Sequence, residues 1–72
     1  MKQITVLGGS GFIGSALADL LSKNGKIKVI IFDTKKKFNL LKNQKFIKGN
    51  ILNEKKLSKA IKNSEYVFNF AA

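Results

Sequence analysis

Two kinds of hydrophobic pattern alternate along the chain. Ile4-Thr5-Val6-Leu7 is a short apolar run that ends in glycines, and Val29-Ile30-Ile31-Phe32 runs without polar alternation to Asp33. Such runs read as strands buried on both faces, the habit of a parallel sheet. Between them the period lengthens. Ile13, Ala16, Leu17, Leu20 and Leu21 recur on one face of a helix from about Phe12 to Asn24, with Ser15, Asp19, Ser22 and Lys23 on the other. Lys23 suits the negative end of the helix dipole, and Gly25 is placed for a left-handed C-terminal cap.

Phe46-Ile47 is a minimal third strand, stopped by Gly49. The polar stretch before it, Thr34 to Asn43, fits a short helix or a loop anchored by Phe38, Leu40 and Leu41. Asn53 is placed to cap a second helix, with Leu52 and Leu57 at the spacing of a hydrophobic staple. Leu57, Ala60 and Ile61 form the inward stripe of that helix, which ends near Asn63. Tyr66 to Phe70 is an aromatic-rich fourth strand. Strand and helix alternate, so the chain is an α/β fold with parallel strands and crossover helices. The doubly wound strand order is 3-2-1-4, with the far edge of the fourth strand open to a fifth. An apolar edge of that kind aggregates, so the isolated chain is expected to be poorly soluble or molten.

Composition removes several functions. The chain has neither cysteine nor histidine, so it offers no disulfide, no thiolate or imidazole metal ligand, and no imidazole base. No apolar run has the length of a signal-peptide core or a membrane span, which points to the cytoplasm. The net charge is +10, but every basic residue is a lysine. Arginine, which grips phosphates and guanine edges bidentately, is missing. The lysines are spread from Lys2 to Lys62, and only Lys35-Lys36-Lys37 forms a run. They read as a solvated surface and not as a nucleic-acid or membrane interface. The competing class, a basic binder of anionic polymers, would bind in a steeply salt-dependent way.

The candidate chemistry sits at the first strand-to-helix junction, Gly8-Gly9-Ser10-Gly11-Phe12-Ile13-Gly14. Gly9, Gly11 and Gly14 have the spacing G-x-G-x-x-G, and Gly8, Gly11 and Gly14 recur every third residue. A helix N-terminus offers unpaired N–H groups and about half a positive charge, enough to hold a diphosphate that comes close. Gly8 permits the tight turn, Gly11 the close approach and Gly14 tight helix packing, and Ser10 adds a hydroxyl. Asp33, nineteen residues after Gly14, ends the second strand, where an acid accepts hydrogen bonds from ribose hydroxyls. A 2′-phosphate would be repelled there, which favours NAD over NADP, although the lysine run pulls the other way.

Together with Lys48-Gly49-Asn50-Ile51 and Val67-Phe68-Asn69-Phe70-Ala71-Ala72, these residues resemble the extended short-chain dehydrogenases/reductases. The narrower likeness is to the NAD-dependent epimerase/dehydratase family, most of whose members act on nucleotide sugars. It extends over essentially the whole chain. It implies that Gly8, Gly11 and Gly14 are phosphate-loop glycines and that Phe12 and Ile13 give backbone N–H groups to the diphosphate. It further implies that Asp33 holds the adenosine ribose, that Asn50 and Ile51 contact adenine, and that Ala71 and Ala72 line the cofactor near its diphosphate and nicotinamide ribose. Asn50 stands where the family usually has Asp, and Leu7 where many members have Thr.

Family members carry a Ser/Thr and a Tyr-x-x-x-Lys downstream, in which the Tyr is the acid/base. The only tyrosine here is Tyr66, and four residues on stands Phe70. No residue is therefore expected to be catalytic. The 72 residues are expected to be a partial NAD(P)-binding domain, the N-terminal half of a Rossmann-type sheet, that cannot turn over a nucleotide sugar alone. A non-catalytic NAD(P)-binding module is the alternative.

Overall fold

A computed structural model describes residues 2–71 of the chain. Four strands and two helices follow in the order β1 (Lys2–Leu7), α1 (Phe12–Ser22), β2 (Ile27–Asp33), β3 (Gln44–Lys48), α2 (Glu54–Ile61) and β4 (Tyr66–Asn69). All strand pairs are parallel, in the order β3-β2-β1-β4. This is the α/β architecture and the 3-2-1-4 order expected of half a Rossmann-type sheet. No helix among the described residues is long and apolar enough to cross a membrane.

Alternation along the strands divides the core in two. Val6, Val29 and Ile31 meet Ala18 of α1 on one face, with Leu21, Ile27 and Phe46 packed around them. Leu7, Ile30 and Phe32 meet Ala60 of α2 on the other, with Ile47, Ile51, Leu57 and Ala71. A sheet sandwiched in this way explains why β1 and β2 lack polar alternation. The one polar residue in their buried stretch is Thr5. Its hydroxyl donates to the Ala60 carbonyl at 2.7 Å and lies 2.6 Å from Ser64 Oγ, tying β1 to the end of α2.

The helix faces differ from the periodic expectation. In α1 the buried residues are Gly14 and Ala18, with Leu21 beside them, whereas Ile13, Ala16 and Leu20 are exposed. The cause is the supposedly solvent-facing flank. Gln44 at the start of β3 is buried, and its amide donates to Asp19 at 2.8 Å and to Ser22 at 2.9 Å. These bonds turn the Asp19 side of the helix towards β3 and lift Ile13 and Leu20 off the sheet. The helix ends at Ser22, capped by Lys23, and Gly25 is not left-handed; the positive-φ positions are Gly8 and Asn63. Asn63 follows the Lys62 cap of α2 at φ 67°, and so ends that helix in the left-handed way that Gly25 does not end α1.

Thr34 to Asn43 forms no helix. Phe38, Leu40 and Leu41 do not anchor it, since all three are exposed; the anchor is Lys37, only 3% exposed. Asn53 caps α2 as expected, accepting from the Lys56 N–H at 3.2 Å. The staple does not form, because Leu52 is 84% exposed. β3 is longer than Phe46-Ile47 because β2 extends to pair with it from Val29↔Gln44 to Asp33↔Lys48.

Candidate functional site: a cleft at the carboxyl ends of the strands

The chain leaves β1 for β2 on one side and reaches β4 on the other, so the direction of winding reverses between β1 and β4. A crevice opens at such a reversal, outside the carboxyl ends of the strands. Here it is a cleft of about 410 Å³ lined by Gly8, Gly11, Phe32, Asp33, Thr34, Gly49, Asn50, Ile51, Phe70 and Ala71. Four segments far apart in sequence meet there because the ladders run one residue past the strands. Gly8 N–H donates to Phe32 O and Phe70 N–H to Leu7 O, each at 2.8 Å, and Gly49 N–H donates to Asp33 O at 2.9 Å.

The glycines of the loop have different jobs. Gly8 has φ +79°, and a Cβ there would stand 2.8 Å from the backbone of Phe70 and Ala71. At Gly14 a Cβ would lie 2.2 Å from the Gly8 carbonyl oxygen, so glycine lets the first turn of α1 close on the loop. Gly9, which the sequence leaves without a fixed role, is a packing residue; its Cβ would meet the Ile31 side chain at 2.7 Å. Gly11 is unlike these three. Its φ of −75° and ψ of 176° suit any residue, and a Cβ there would meet nothing nearer than Gly8 O at 3.5 Å. Nothing inside the protein requires glycine at this position, which faces the cleft.

Gly11 is also the N-cap of α1, and it has no side chain to satisfy the helix end. Among the described residues the N–H groups of Phe12, Ile13 and Gly14 have no acceptor, and the first turn has no acid. α2 provides the contrast, with the Asn53 cap and Glu54 in its first turn. The positive end of α1 is thus left open beside the cleft. Phe12 contributes only backbone here, since its side chain is 94% exposed. The Ser10 hydroxyl is buried without a partner.

Asp33 forms the opposite wall. Its Oδ2 accepts the Ser10 N–H at 3.0 Å, and its Oδ1 accepts the Lys35 N–H at 3.2 Å. The Thr34 hydroxyl also donates to Oδ1, at 3.4 Å, so the open lone pair is on Oδ2, and the Ser10 bond fixes the glycine loop to the end of β2. Asn50 Oδ1 accepts the Leu52 N–H at 2.9 Å, which closes a local turn and leaves one lone pair and the amide NH2. Asn69 does the same for Ala71 N–H at 3.0 Å, bending the chain after β4 into the cleft.

The structure therefore brings Gly8, Gly11, Asp33, Asn50, Ile51 and Ala71 to one cleft. Phe12, Ile13 and Gly14 stand on the adjoining helix turn, and Ala72 lies outside the described residues. Phe32, Thr34, Gly49 and Phe70 line it as well. Of these, Gly49 and Phe70 stand in segments that resemble the family, and a Cβ at Gly49 would strike the Phe32 ring at 2.7 Å. Tyr66 pairs with Ile4 at the far end of β4 from the cleft, a strand residue. No group of three or more potential metal ligands occurs among the described residues.

A model of the NAD-dependent epimerase/dehydratase family matches residues 4–72. The chain belongs to this family. No curated protein is similar enough to count as a match. Among solved structures, the chain resembles dTDP-glucose 4,6-dehydratase from Bacillus anthracis, in complex with NAD, at 34% identity and a TM-score of 0.80. All of the chain aligns, to 27% of the dehydratase. UDP-glucose 4-epimerase from Thermotoga maritima, solved with UDP-glucose, is 39% identical over 97% of this chain and 24% of that one, with a TM-score of 0.82. A Rossmann-fold NAD(P)-binding family protein from Shigella flexneri is 25% identical over the whole chain and 38% of its own length, with a TM-score of 0.89. The family member described here thus spans between about a quarter and two fifths of the length of these relatives.

Proposed function

We propose that this chain is the cofactor-binding N-terminal part of an NAD-dependent epimerase or dehydratase acting on nucleotide sugars. Gly11 carries the proposal. The other loop glycines answer to the protein's own packing, but Gly11 faces only the cleft. A backbone bared at an uncapped helix N-terminus suits the close approach of a diphosphate.

On this basis the N–H groups of Phe12 and Ile13 hold the diphosphate, with Gly8, Gly11 and Gly14 shaping the loop around it. Asp33 accepts hydrogen bonds from the adenosine ribose hydroxyls, Asn50 and Ile51 flank the adenine, and Ala71 lines the path towards the nicotinamide. Asp33 also makes NAD a better partner than NADP, since its charge repels a 2′-phosphate. The NAD carried by the dehydratase relative supports the same choice. NAD held there would supply a nicotinamide able to accept a hydride from a sugar carbon. These residues orient the cofactor, and among the described residues that line the cleft Asp33 is the only titratable group, so the acid or base for the sugar is read as coming from elsewhere. The domain is read as part of a larger one, in a cytoplasmic enzyme.

Isothermal titration of the chain with NAD tests the proposal. Saturable 1:1 binding that ADP-ribose displaces and that survives added salt is expected. Absence of binding by the folded chain, or binding abolished by moderate salt as for a basic surface that binds polyanions, would refute it.

A further inference from the structure

The run Lys35-Lys36-Lys37 begins two residues after Asp33, where a cation would help to hold a 2′-phosphate. The three lysines are placed unequally. Lys35 and Lys36 are exposed, while Lys37 is 3% exposed. Its ammonium lies 2.9 Å from Asp19 Oδ1 and donates to the Asn39 carbonyl. Asp19 is held in turn by Gln44, whose amide also bonds Ser22 and whose Oε1 accepts the Leu41 N–H at 3.0 Å. Thus the loop that leaves the cleft at Asp33 is fastened to the flank of α1 four residues later.

We infer that Asp19 is a positioning residue for cofactor choice: by pairing with Lys37 it keeps that cation, and the loop bearing it, away from the ribose edge of the cleft and so favours NAD over NADP. The inference rests on the proposal that the cleft binds NAD. A lysine ammonium this buried does not stay charged in place without its partner. Without the Asp19 charge, Lys37 must move into solvent. It remains tethered within four residues of Asp33, at most about 14 Å of extended chain. An unpaired, mobile positive charge is then within reach of the site of the 2′-phosphate.

Asp19→Asn is the first variant, checked for folding by circular dichroism. Two measurements are made on it and on the native chain: acylation of each lysine by an amine-reactive acetyl ester, read by mass spectrometry, and the ratio of NADP to NAD affinity by titration. In the native chain Lys37 should react far more slowly than Lys35 and Lys36. In Asp19→Asn it should react at their rate, and the NADP-to-NAD affinity ratio should rise at least about fivefold, the order expected for one cation near a phosphate in water. Asp19→Glu should restore the native ratio, and Asp19→Asn combined with Lys37→Met should return to it. Lys37→Met alone should leave the ratio unchanged, because the cation is already withheld; this variant can overturn the inference even if Asp19→Asn does not fold. A reactive Lys37 in the native chain, an unchanged ratio in a folded Asp19→Asn, or a fall in NADP affinity in Lys37→Met would each overturn the inference. If the folded native chain binds no NAD, the proposed function fails and the selectivity claim with it, while the acylation pattern still decides whether the Asp19–Lys37 lock exists.

Discussion

Adding one methyl group at successive glycines of the β1–α1 loop should separate binding from folding. At Gly11 the new Cβ meets no atom nearer than 3.5 Å, and φ and ψ are already those of an ordinary residue. Alanine is a poorer N-cap than glycine but loses less chain entropy on folding. Each effect is about 0.5–1 kcal/mol and they oppose, so Gly11→Ala should leave stability within about 0.5 kcal/mol of the native value. The methyl would occupy the space where the diphosphate must approach the Phe12 and Ile13 N–H groups. Losing one or two charge-assisted hydrogen bonds costs about 1.5–3 kcal/mol each. NAD affinity should therefore fall by roughly one to four orders of magnitude.

The same change at Gly14 puts a Cβ 2.2 Å from the Gly8 oxygen, and at Gly8 it combines a positive φ with 2.8 Å contacts to Phe70 and Ala71. Overpacking of this kind costs about 1–3 kcal/mol, and a left-handed backbone adds about 1–2 at Gly8. Both variants should be visibly destabilised. Urea unfolding followed by circular dichroism and NAD titration, run on all three, check the contrast. A Gly11→Ala chain that binds NAD with native Kd would refute the diphosphate assignment. One destabilised as strongly as Gly14→Ala would refute the view that Gly11 is free of internal constraint.

Other outcomes follow from the same geometry. Asp33→Asn should weaken NAD about tenfold or more, as a charged acceptor for ribose hydroxyls becomes neutral, and should weaken NADP less; parallel titrations measure the difference. Thr5→Val should cost about 1–3 kcal/mol in urea unfolding, because Ala60 O and Ser64 lose a buried partner at the join of β1 and α2. Burial pushes the Asp19 carboxyl up, but the hydrogen bonds from Gln44 and Lys37 and the Lys37 charge outweigh it and hold the group below its ordinary value. Its contribution to stability is therefore full above the unfolded aspartate pKa, about 3.9, and is lost as pH falls through the lower folded value. The urea midpoints of native and Asp19→Asn chains should accordingly converge in acid. Val67→Lys, on the open edge strand β4, should raise the concentration at which the chain stays free of light-scattering aggregates.

The fold was largely legible along the chain. The unbroken apolar runs of β1 and β2, the turn glycines and the alternation with helical periods imply a parallel sheet by themselves, because a strand without polar alternation needs cover on both faces. The cleft was legible in part. Gly8, Gly11, Asp33, Asn50, Ile51, Phe70 and Ala71 have local signals or a family pattern, whereas Phe32 and Thr34 enter the cleft only because neighbouring strands end level with one another. Register between distant strands leaves no mark in a single sequence.

Periodicity also misjudged the face of α1. It counts apolar residues and cannot see that Asp19 and Ser22 have a buried partner in Gln44, twenty-five and twenty-two residues on. For the same reason Lys37 reads as one of three solvated lysines until α1 brings Asp19 to it. The spacing of the loop glycines already assigned Gly8 to the turn, Gly11 to a close approach and Gly14 to helix packing; only the tertiary contacts made Gly9 a packing residue and showed that, of the four, Gly11 alone meets no atom nearer than 3.5 Å. What the sequence determined were properties of consecutive residues: period, turn and cap. What the tertiary structure decided were the pairings of a polar group with a distant partner, which depend on how the sheet brings remote segments within a few ångströms of one another.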